Sequence, residues 1–312
     1  MNQPSRVAYV NGEFLPENNA KISIRDKGLI YGDGVFDTAR TFDGKLFRLE
    51  EHIERLFNSL SIAMIDPGIS PQDFIDLTLE VVERNKPLLR PGEDYWVSQR
   101  VSPGLMPLDG EPPIQQGASI IVDCVPLPLR ARAHYFQTGI EAMISSRPRT
   151  QPEALSPNIK SNNYLNMMLA QREVQKDHPG AWALMRDVNG NIAEGAGCNF
   201  FAVSDGAVIT PKVDYVLNGI SRRVVIELCE KQGIPFREED FDADFALRSD
   251  EAFFTSTSLC ICPVRLLNQR EFSAAPGSIT AQLMKAFSEL VEFDYVGQYL
   301  NFLGQGEKGT GI

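Results

Sequence analysis

Residues 156–171 read Ser-Pro-Asn-Ile-Lys-Ser-Asn-Asn-Tyr-Leu-Asn-Met-Met-Leu-Ala-Gln and place one lysine, Lys160, in a turn facing the start of a helix. An amine held beside small polar groups and partly removed from water gives up its proton more readily than a surface lysine. The neutral amine can then form a Schiff base with a carbonyl. Tyr164 follows at the spacing of one helical turn, so its phenol can come back toward the same place. A solvated lysine ahead of an ordinary helix is the competing reading of this stretch.

Four other signals bear on chemistry. Gly219-Ile220-Ser221 opens a helix, and its backbone N–H groups, positive dipole end and hydroxyl suit an anion such as phosphate. Arg55 sits beside the apolar Leu56 and Phe57, from where its fork of donors could reach a phosphate; a surface pairing with Glu51 or Glu54 is the alternative. Thr255-Ser256-Thr257-Ser258 at a strand end offers hydroxyl and backbone donors to the same anion, or else caps a turn. Glu194 precedes Gly195-Ala-Gly, a backbone bare enough for a flat ring to approach, and its carboxylate could hold a proton on a heteroaromatic nitrogen. A turn glutamate is the plain alternative.

The elements that must position these residues form two regions. Residues 7–15 read as a hairpin turning at Asn11-Gly12, and 31–49 as two strand-like halves turning at Asp43-Gly44. Alternation puts Phe36, Thr38 and Arg40 on one face, which is unusual for a plain core strand. Helices are expected over 50–64 and 73–85, and strands over 95–101 and 119–125. A Pro- and Arg-containing linker is expected over 126–136, separating a domain at 1–125 from one at 137–312. The second region reads as a strand over 139–145, a Pro-rich loop to Lys160, a helix over 163–176, and strands over 182–187, 200–203 and 208–210. A turn at Asn189-Gly190 follows the strand over 182–187, and the block Glu194-Gly-Ala-Gly-Cys-Asn lies between that strand and the one over 200–203. A helix over 221–232, a strand over 251–256 and a last helix over 279–291 complete it, and the Gly-rich tail over 304–312 reads as disordered.

The 312 residues carry a net charge of −11, which argues against nucleic-acid or anionic-membrane partners. No apolar run reaches the eighteen or so residues of a membrane span, and the start of the chain lacks a signal-peptide pattern, so a soluble cytoplasmic protein is expected. The five cysteines are odd in number and only Cys260 and Cys262 are close, which favours buried free thiols over disulfides or zinc. With three histidines, none near a cysteine pair, no metal is expected.

The order of these signals resembles the class IV pyridoxal-phosphate-dependent aminotransferases of fold type IV. These include branched-chain, D-amino acid and (R)-selective amine transaminases and the related aminodeoxychorismate lyases. The resemblance covers nearly the whole chain. It runs through Tyr9-Val-Asn-Gly-Glu-Phe, Tyr31-Gly-Asp-Gly-Val-Phe-Asp, Phe47-Arg-Leu-Glu-Glu-His-Ile-Glu-Arg-Leu, Ile159-Lys-Ser-Asn-Asn-Tyr-Leu-Asn, Glu194-Gly-Ala-Gly-Cys-Asn-Phe-Phe, Leu217-Asn-Gly-Ile-Ser-Arg-Arg and Phe254-Thr-Ser-Thr-Ser.

The resemblance implies an α+β fold with a small N-terminal domain and a larger, barrel-like C-terminal domain, working as a homodimer. It implies pyridoxal phosphate as cofactor, with Lys160 as the Schiff-base lysine and proton shuttle, Glu194 at the pyridine nitrogen and Tyr164 at the 3-oxygen. Arg55, Ile220, Ser221 and Thr257 match the phosphate cup, and Leu217 the residue packed on the ring.

Toward the substrate, the branched-chain pattern Phe-Glu-Gly-x-Arg stands here as Phe36-Asp37-Thr38-Ala39-Arg40, and Thr38 narrows or polarises that wall. The D-amino acid enzymes have tyrosine at the place of Phe36 and arginine at that of Arg100. Arg40, Arg100 and Arg149 are thus candidate carboxylate partners. Tyr31, Phe36, Tyr95 and Trp96 are candidate pocket walls, with Ser258 beside the substrate. The expected activity is transfer of an amino group from a hydrophobic or branched amino acid, a D-amino acid or an (R)-amine to 2-oxoglutarate or pyruvate. A lyase of the aminodeoxychorismate type and a non-catalytic scaffold are the alternatives.

Overall fold

A computed structural model describes residues 5–305. Packing divides the chain into two units: the residues up to Leu127 together with Ile159–Asn163, and Pro128–Asn158 together with the residues from Tyr164 onward.

In the first unit the order is β1 (Val7–Val10), β2 (Glu13–Pro16), α1 (Lys27–Tyr31), β3 (Val35–Phe42), β4 (Lys45–Leu46), α2 (Leu49–Ala63), α3 (Pro71–Asn85), β5 (Tyr95–Ser102) and β6 (Ser119–Pro126). The strands form one antiparallel sheet in the order β2-β1-β6-β5-β3-β4. Both expected tight turns are present. Asn11 and Gly12 have φ of 48° and 101°, and Asp43 and Gly44 have 50° and 72°, the doubly positive pair that two-residue hairpins need. Asp94 fixes the second turn by accepting the Asp43 and Gly44 N–H groups.

The amphipathic helices α2 and α3 bury Ile53, Leu56, Phe74 and Val81 against Tyr95, Val97, Val101 and Val122. Helix α3 starts with a capping box, Ser70 and Asp73 exchanging bonds across Pro71 at the first helical position. The stretch from Tyr31 is not strand throughout: Tyr31 ends α1, Gly32 stops it at a φ of 67°, and β3 begins only at Val35.

The second unit contains α4 (Leu129–Thr138), β7 (Ile140–Pro148), α5 (Leu165–Asp177), β8 (Trp182–Arg186), β9 (Ile192–Gly195), β10 (Cys198–Ser204), β11 (Ala207–Thr210) and α6 (Ile220–Gln232). It continues with β12 (Phe236–Glu238), α7 (Ala243–Arg248), β13 (Glu251–Ser256), β14 (Cys260–Leu267), β15 (Arg270–Glu271), α8 (Ser278–Leu290) and α9 (Tyr295–Leu300). Its sheet runs β12-β11-β10-β13-β14-β7-β8-β9, and β9 also pairs with β10. Strands β10, β13, β14, β7, β8 and β9 therefore close into a six-membered ring, a barrel. Met143, Ala183 and Met185 of the barrel pack against Met167, Ala170 and Val174 of α5.

Several expectations are corrected. The run expected as a linker carries α4, whose Leu129, Ala133, Tyr135 and Phe136 are buried; Pro126 and Pro128 end a strand and precede a helix rather than mark a flexible joint. Glu194 lies in strand β9, not in a turn, because the following Ala196-Gly197 makes a short hairpin into β10. Helix α5 starts after Tyr164, so the spacing from Lys160 to Tyr164 is not a helical turn. The helix expected to be last is followed by α9, and β14, which holds Cys260 and Cys262, was not foreseen. The tail expected to be disordered lies, from residue 306 on, outside the described residues.

All five cysteines are free and buried. Burial pushes the thiols of Cys124 and Cys229 up to about 12, which leaves them protonated and inert at neutral pH.

Candidate active site

In the first unit, Lys160 is carried by a loop stitched to the start of β3. The Phe36 N–H donates to the Lys160 carbonyl at 2.8 Å, the Asn162 N–H to the Gly34 carbonyl at 2.8 Å, and Ser161 bridges Val35. Gly34 is required there, since a Cβ would lie 2.7 Å from the Asn162 side chain and 2.9 Å from the Val101 carbonyl. The Lys160 N–H donates to Ser59 Oγ at 3.1 Å, and Ser59 Oγ–H donates to the Arg55 carbonyl at 3.0 Å, tying the loop to α2. The half-buried amine of Lys160 stands 4.5 Å from the Phe36 ring centroid.

Arg55 pairs with Asp37 of β3. Its Nε–H and Nη2–H donate to Asp37 at 2.7 and 2.8 Å, and the side chain is 10 % exposed. Cross-strand register places Phe36 opposite Arg100, Thr38 opposite Ser98 and Arg40 opposite Trp96. Thr38 and Ser98 share a hydroxyl contact of 3.2 Å. Arg100 is paired with Asp123 of β6 and stays substantially exposed. Tyr31 is 60 % exposed.

Arg40, on the same face of β3 as Phe36 and Thr38, is 1 % exposed, with its guanidinium 4.0 Å from the Phe42 ring centroid and its Nε–H on the Thr41 carbonyl. One expected substrate residue lies elsewhere. Tyr95 and Arg100 differ by an odd number of positions and project to opposite faces of β5. Tyr95 falls on the helix side, donates to the Asn85 carbonyl at 2.8 Å, and burial pushes its phenol up to about 12.

In the second unit, Glu194 is the centre. Its carboxylate is buried and accepts the Arg149 Nε–H at 2.8 Å on one oxygen; on the other it accepts the Leu217 N–H at 3.1 Å and the Asn199 amide at 3.4 Å. Arg149 is therefore engaged with Glu194 and is not a substrate-carboxylate partner. Asn199 also donates to the Leu217 carbonyl at 2.9 Å. Register sets Glu194, Asn199 and Thr255 side by side on β9, β10 and β13. Among the described residues, the buried Thr255 Oγ1 at the end of this row has no hydrogen-bond partner.

Helix α6 begins at Ile220 with Gly219 as N-cap and no side-chain cap. A Cβ on Gly219 would lie 2.1 Å from Asn199 Oδ1, so only glycine lets the helix start come this close. Ile220 and Ser221 are buried. Thr257 and Ser258 lie on the β13–β14 connection. Ser258 accepts from Arg132 of α4, and its carbonyl accepts the Tyr299 phenol at 2.8 Å. Tyr164, half-buried, is the N-cap of α5.

Sequence reasoning missed Asp37, His52, Asn199 and the pairing of Arg149. Asn199 stands inside the Glu194-Gly-Ala-Gly-Cys-Asn block, and His52 lies three positions before Arg55 on one helix face, signals that could have found both.

Residues 34–267 match the family Amino-transferase class IV. A Methanocaldococcus jannaschii protein whose assignment as a branched-chain-amino-acid aminotransferase is provisional is 35 % identical over 289 residues, covering 90 % of this chain and 95 % of its own. The D-alanine aminotransferase of Staphylococcus haemolyticus is 32 % identical over 286 residues, covering 91 % of this chain and 97 % of its own. The solved branched-chain amino acid aminotransferase of Escherichia coli superposes with a TM-score of 0.83 at 29 % identity, covering 92 % of this chain and 95 % of that one. The chain belongs to the class IV aminotransferase family, has the α+β architecture of fold type IV, and is a transaminase. Enzymes of this class use pyridoxal phosphate.

Proposed function

We propose that the chain binds pyridoxal phosphate and moves an amino group from a hydrophobic or branched amino acid to 2-oxoglutarate or pyruvate. The observation that carries the cofactor assignment is the environment of Glu194. A buried carboxylate ion-paired to Arg149 and oriented by Leu217 and Asn199, in a row ending at the unpartnered Thr255 hydroxyl, suits a group with a protonated ring nitrogen. The uncapped start of α6 suits its phosphate.

Pyridoxal phosphate, when bound, supplies an electron sink for the bonding electrons of the substrate's α-carbon. Glu194 would hold the proton on the ring nitrogen, Leu217 would pack on the ring and Tyr164 would serve the 3-oxygen. The phosphate would be held by Arg55, by the Ile220 and Ser221 N–H groups and by the Ser221 and Thr257 hydroxyls. Lys160 would anchor the cofactor through its amine and, once the donor's amine has taken its place and freed it, would take the proton from the substrate's α-carbon; Phe36 beneath the amine limits the water around it.

For the substrate, Arg100 would receive the α-carboxylate in exchange for Asp123, with Phe36 and Tyr31 as pocket walls and Thr38 setting the width. The D-alanine aminotransferase similarity and the proximity of Arg100 to Phe36 favour D-amino acids as a second donor class. The exposed Ile24, Leu29 and Tyr31 support a homodimer, and five free thiols support a cytoplasmic location. Among the described residues, no helix is long and apolar enough to cross a membrane.

The test is spectroscopic and kinetic. The purified protein shows an absorbance band near the visible edge that Lys160→Ala abolishes. L- and D-amino acids and both enantiomers of an arylalkyl amine are then assayed with each 2-oxo acid. Pyruvate release from aminodeoxychorismate with no acceptor present would identify a lyase instead.

A further inference from the structure

Asp37 is the hub of a set of bonds, and none of the roles above uses it. Its carboxylate is fully buried and accepts the Arg55 Nε–H at 2.7 Å and Nη2–H at 2.8 Å, the Thr38 N–H at 2.7 Å, and His52 Nδ1 at 2.7 Å. His52 and Arg55 lie three positions apart on α2, so one helix face presents both to a single residue of β3. Burial would raise the Asp37 carboxyl, but the Arg55 charge and His52 outweigh it and hold it well below the usual carboxylate range. Burial lowers His52, so its imidazole is neutral and takes the Nδ1–H tautomer that the bond to Asp37 requires.

A free arginine side chain samples many rotamers, whereas one gripped at two donors by a buried carboxylate has the plane of its fork fixed. We propose that Asp37, itself held by His52, is the positioning residue that presets the Arg55 guanidinium for the cofactor's phosphate. The proposal rests on the assignment of Arg55 to the phosphate made above.

Charge and position make opposite demands. An anion in contact with Arg55 weakens that arginine's pull on a phosphate. Were Asp37 a counter-charge only, removing it would tighten phosphate binding. If it sets geometry, removing it frees the arginine and loosens phosphate binding.

The full-length chain, stripped of cofactor, is titrated with pyridoxal phosphate and with pyridoxal, binding being read from the absorbance of the Lys160 adduct. Both probes can join Lys160, and one carries the phosphate. Asp37→Asn is expected to weaken pyridoxal phosphate by about tenfold or more and pyridoxal by less than about twofold, as for loss of a charged hydrogen bond. Asp37→Glu restores most of the difference. Arg55→Met gives the same selective loss, and the double variant loses no more than Arg55→Met alone.

If Arg55→Met is selective while Asp37→Asn leaves the ratio unchanged or tightens the phosphorylated probe, the positioning proposal is overturned and the phosphate assignment stands. If Arg55→Met itself leaves the ratio unchanged, the assignment fails and takes the proposal with it. Should Asp37→Asn not fold, His52→Ala decides on the same ratio: a selective loss supports the proposal and an unchanged ratio overturns it.

Discussion

Arg149 donates its Nε–H to Glu194 Oε1 at 2.8 Å, and neither side chain is more than 7 % exposed. Removing one member of such a pair leaves a buried charge without compensation, at a cost of about 3–5 kcal/mol. Arg149→Met is therefore expected to lower the melting temperature of the cofactor-free chain sharply. Adding Glu194→Gln to it should recover more than half of the loss. Additive losses in this double-mutant cycle would contradict the pairing.

His52 gives a pH signature. The unfolded chain binds a proton at histidine below about pH 6.5, whereas burial lowers the affinity of His52 for that proton in the folded chain. Below that pH the unfolded state binds more protons, so the contribution is complete above about pH 6.5 and is lost as pH falls. Thermal melts taken at intervals below neutrality should show stability rising with pH in the wild type, and a shallower rise in His52→Gln.

The start of α6 gives a steric signature. Gly219 has an ordinary φ of −66°, so alanine there is strained only by contact, its Cβ lying 2.1 Å from Asn199 Oδ1. Gly219→Ala is expected to weaken cofactor binding by about tenfold or more through displaced phosphate donors. Combining it with Asn199→Ala, which vacates the space, should regain part of the affinity that Gly219→Ala alone loses. An unaffected Gly219→Ala protein would refute the close approach.

Arg100 separates substrate classes. Arg100→Ala should raise KM for carboxylate-bearing donors by about tenfold or more, the worth of a charged hydrogen bond, and leave amines without a carboxylate unchanged. Equal effects on both would assign Arg100 to the sheet through Asp123 rather than to the substrate.

What was legible in the sequence was what short-range rules encode. Asn11-Gly12 and Asp43-Gly44 announce their hairpins because their backbone angles suit few other residue pairs. The apolar spacing of α2 and α3 announces their buried faces. The blocks around Lys160, Glu194 and Gly219 are not specific one by one; their order along the chain singled them out.

The rest depends on partners distant in the chain. Asp37 and Arg55 are 18 positions apart and Arg149 and Glu194 are 45 apart, so no local pattern reveals either bond. The neighbours Tyr95 and Trp96 could not both face one pocket, and only the sheet register decides which one faces the helices. Helix α4 was hidden by its flanking prolines, and β9 by a glycine-rich block that resembles a turn.

Strand β9 is four residues long and is the stave whose pairing with β10 completes the ring. A closed ring exposes no raw edge to neighbouring chains, and its weakest seam is its shortest stave. That stave also bears Glu194. Prising the seam open would carry the carboxylate away with it, so mild denaturant should silence the enzyme at concentrations where the other staves still resist hydrogen exchange.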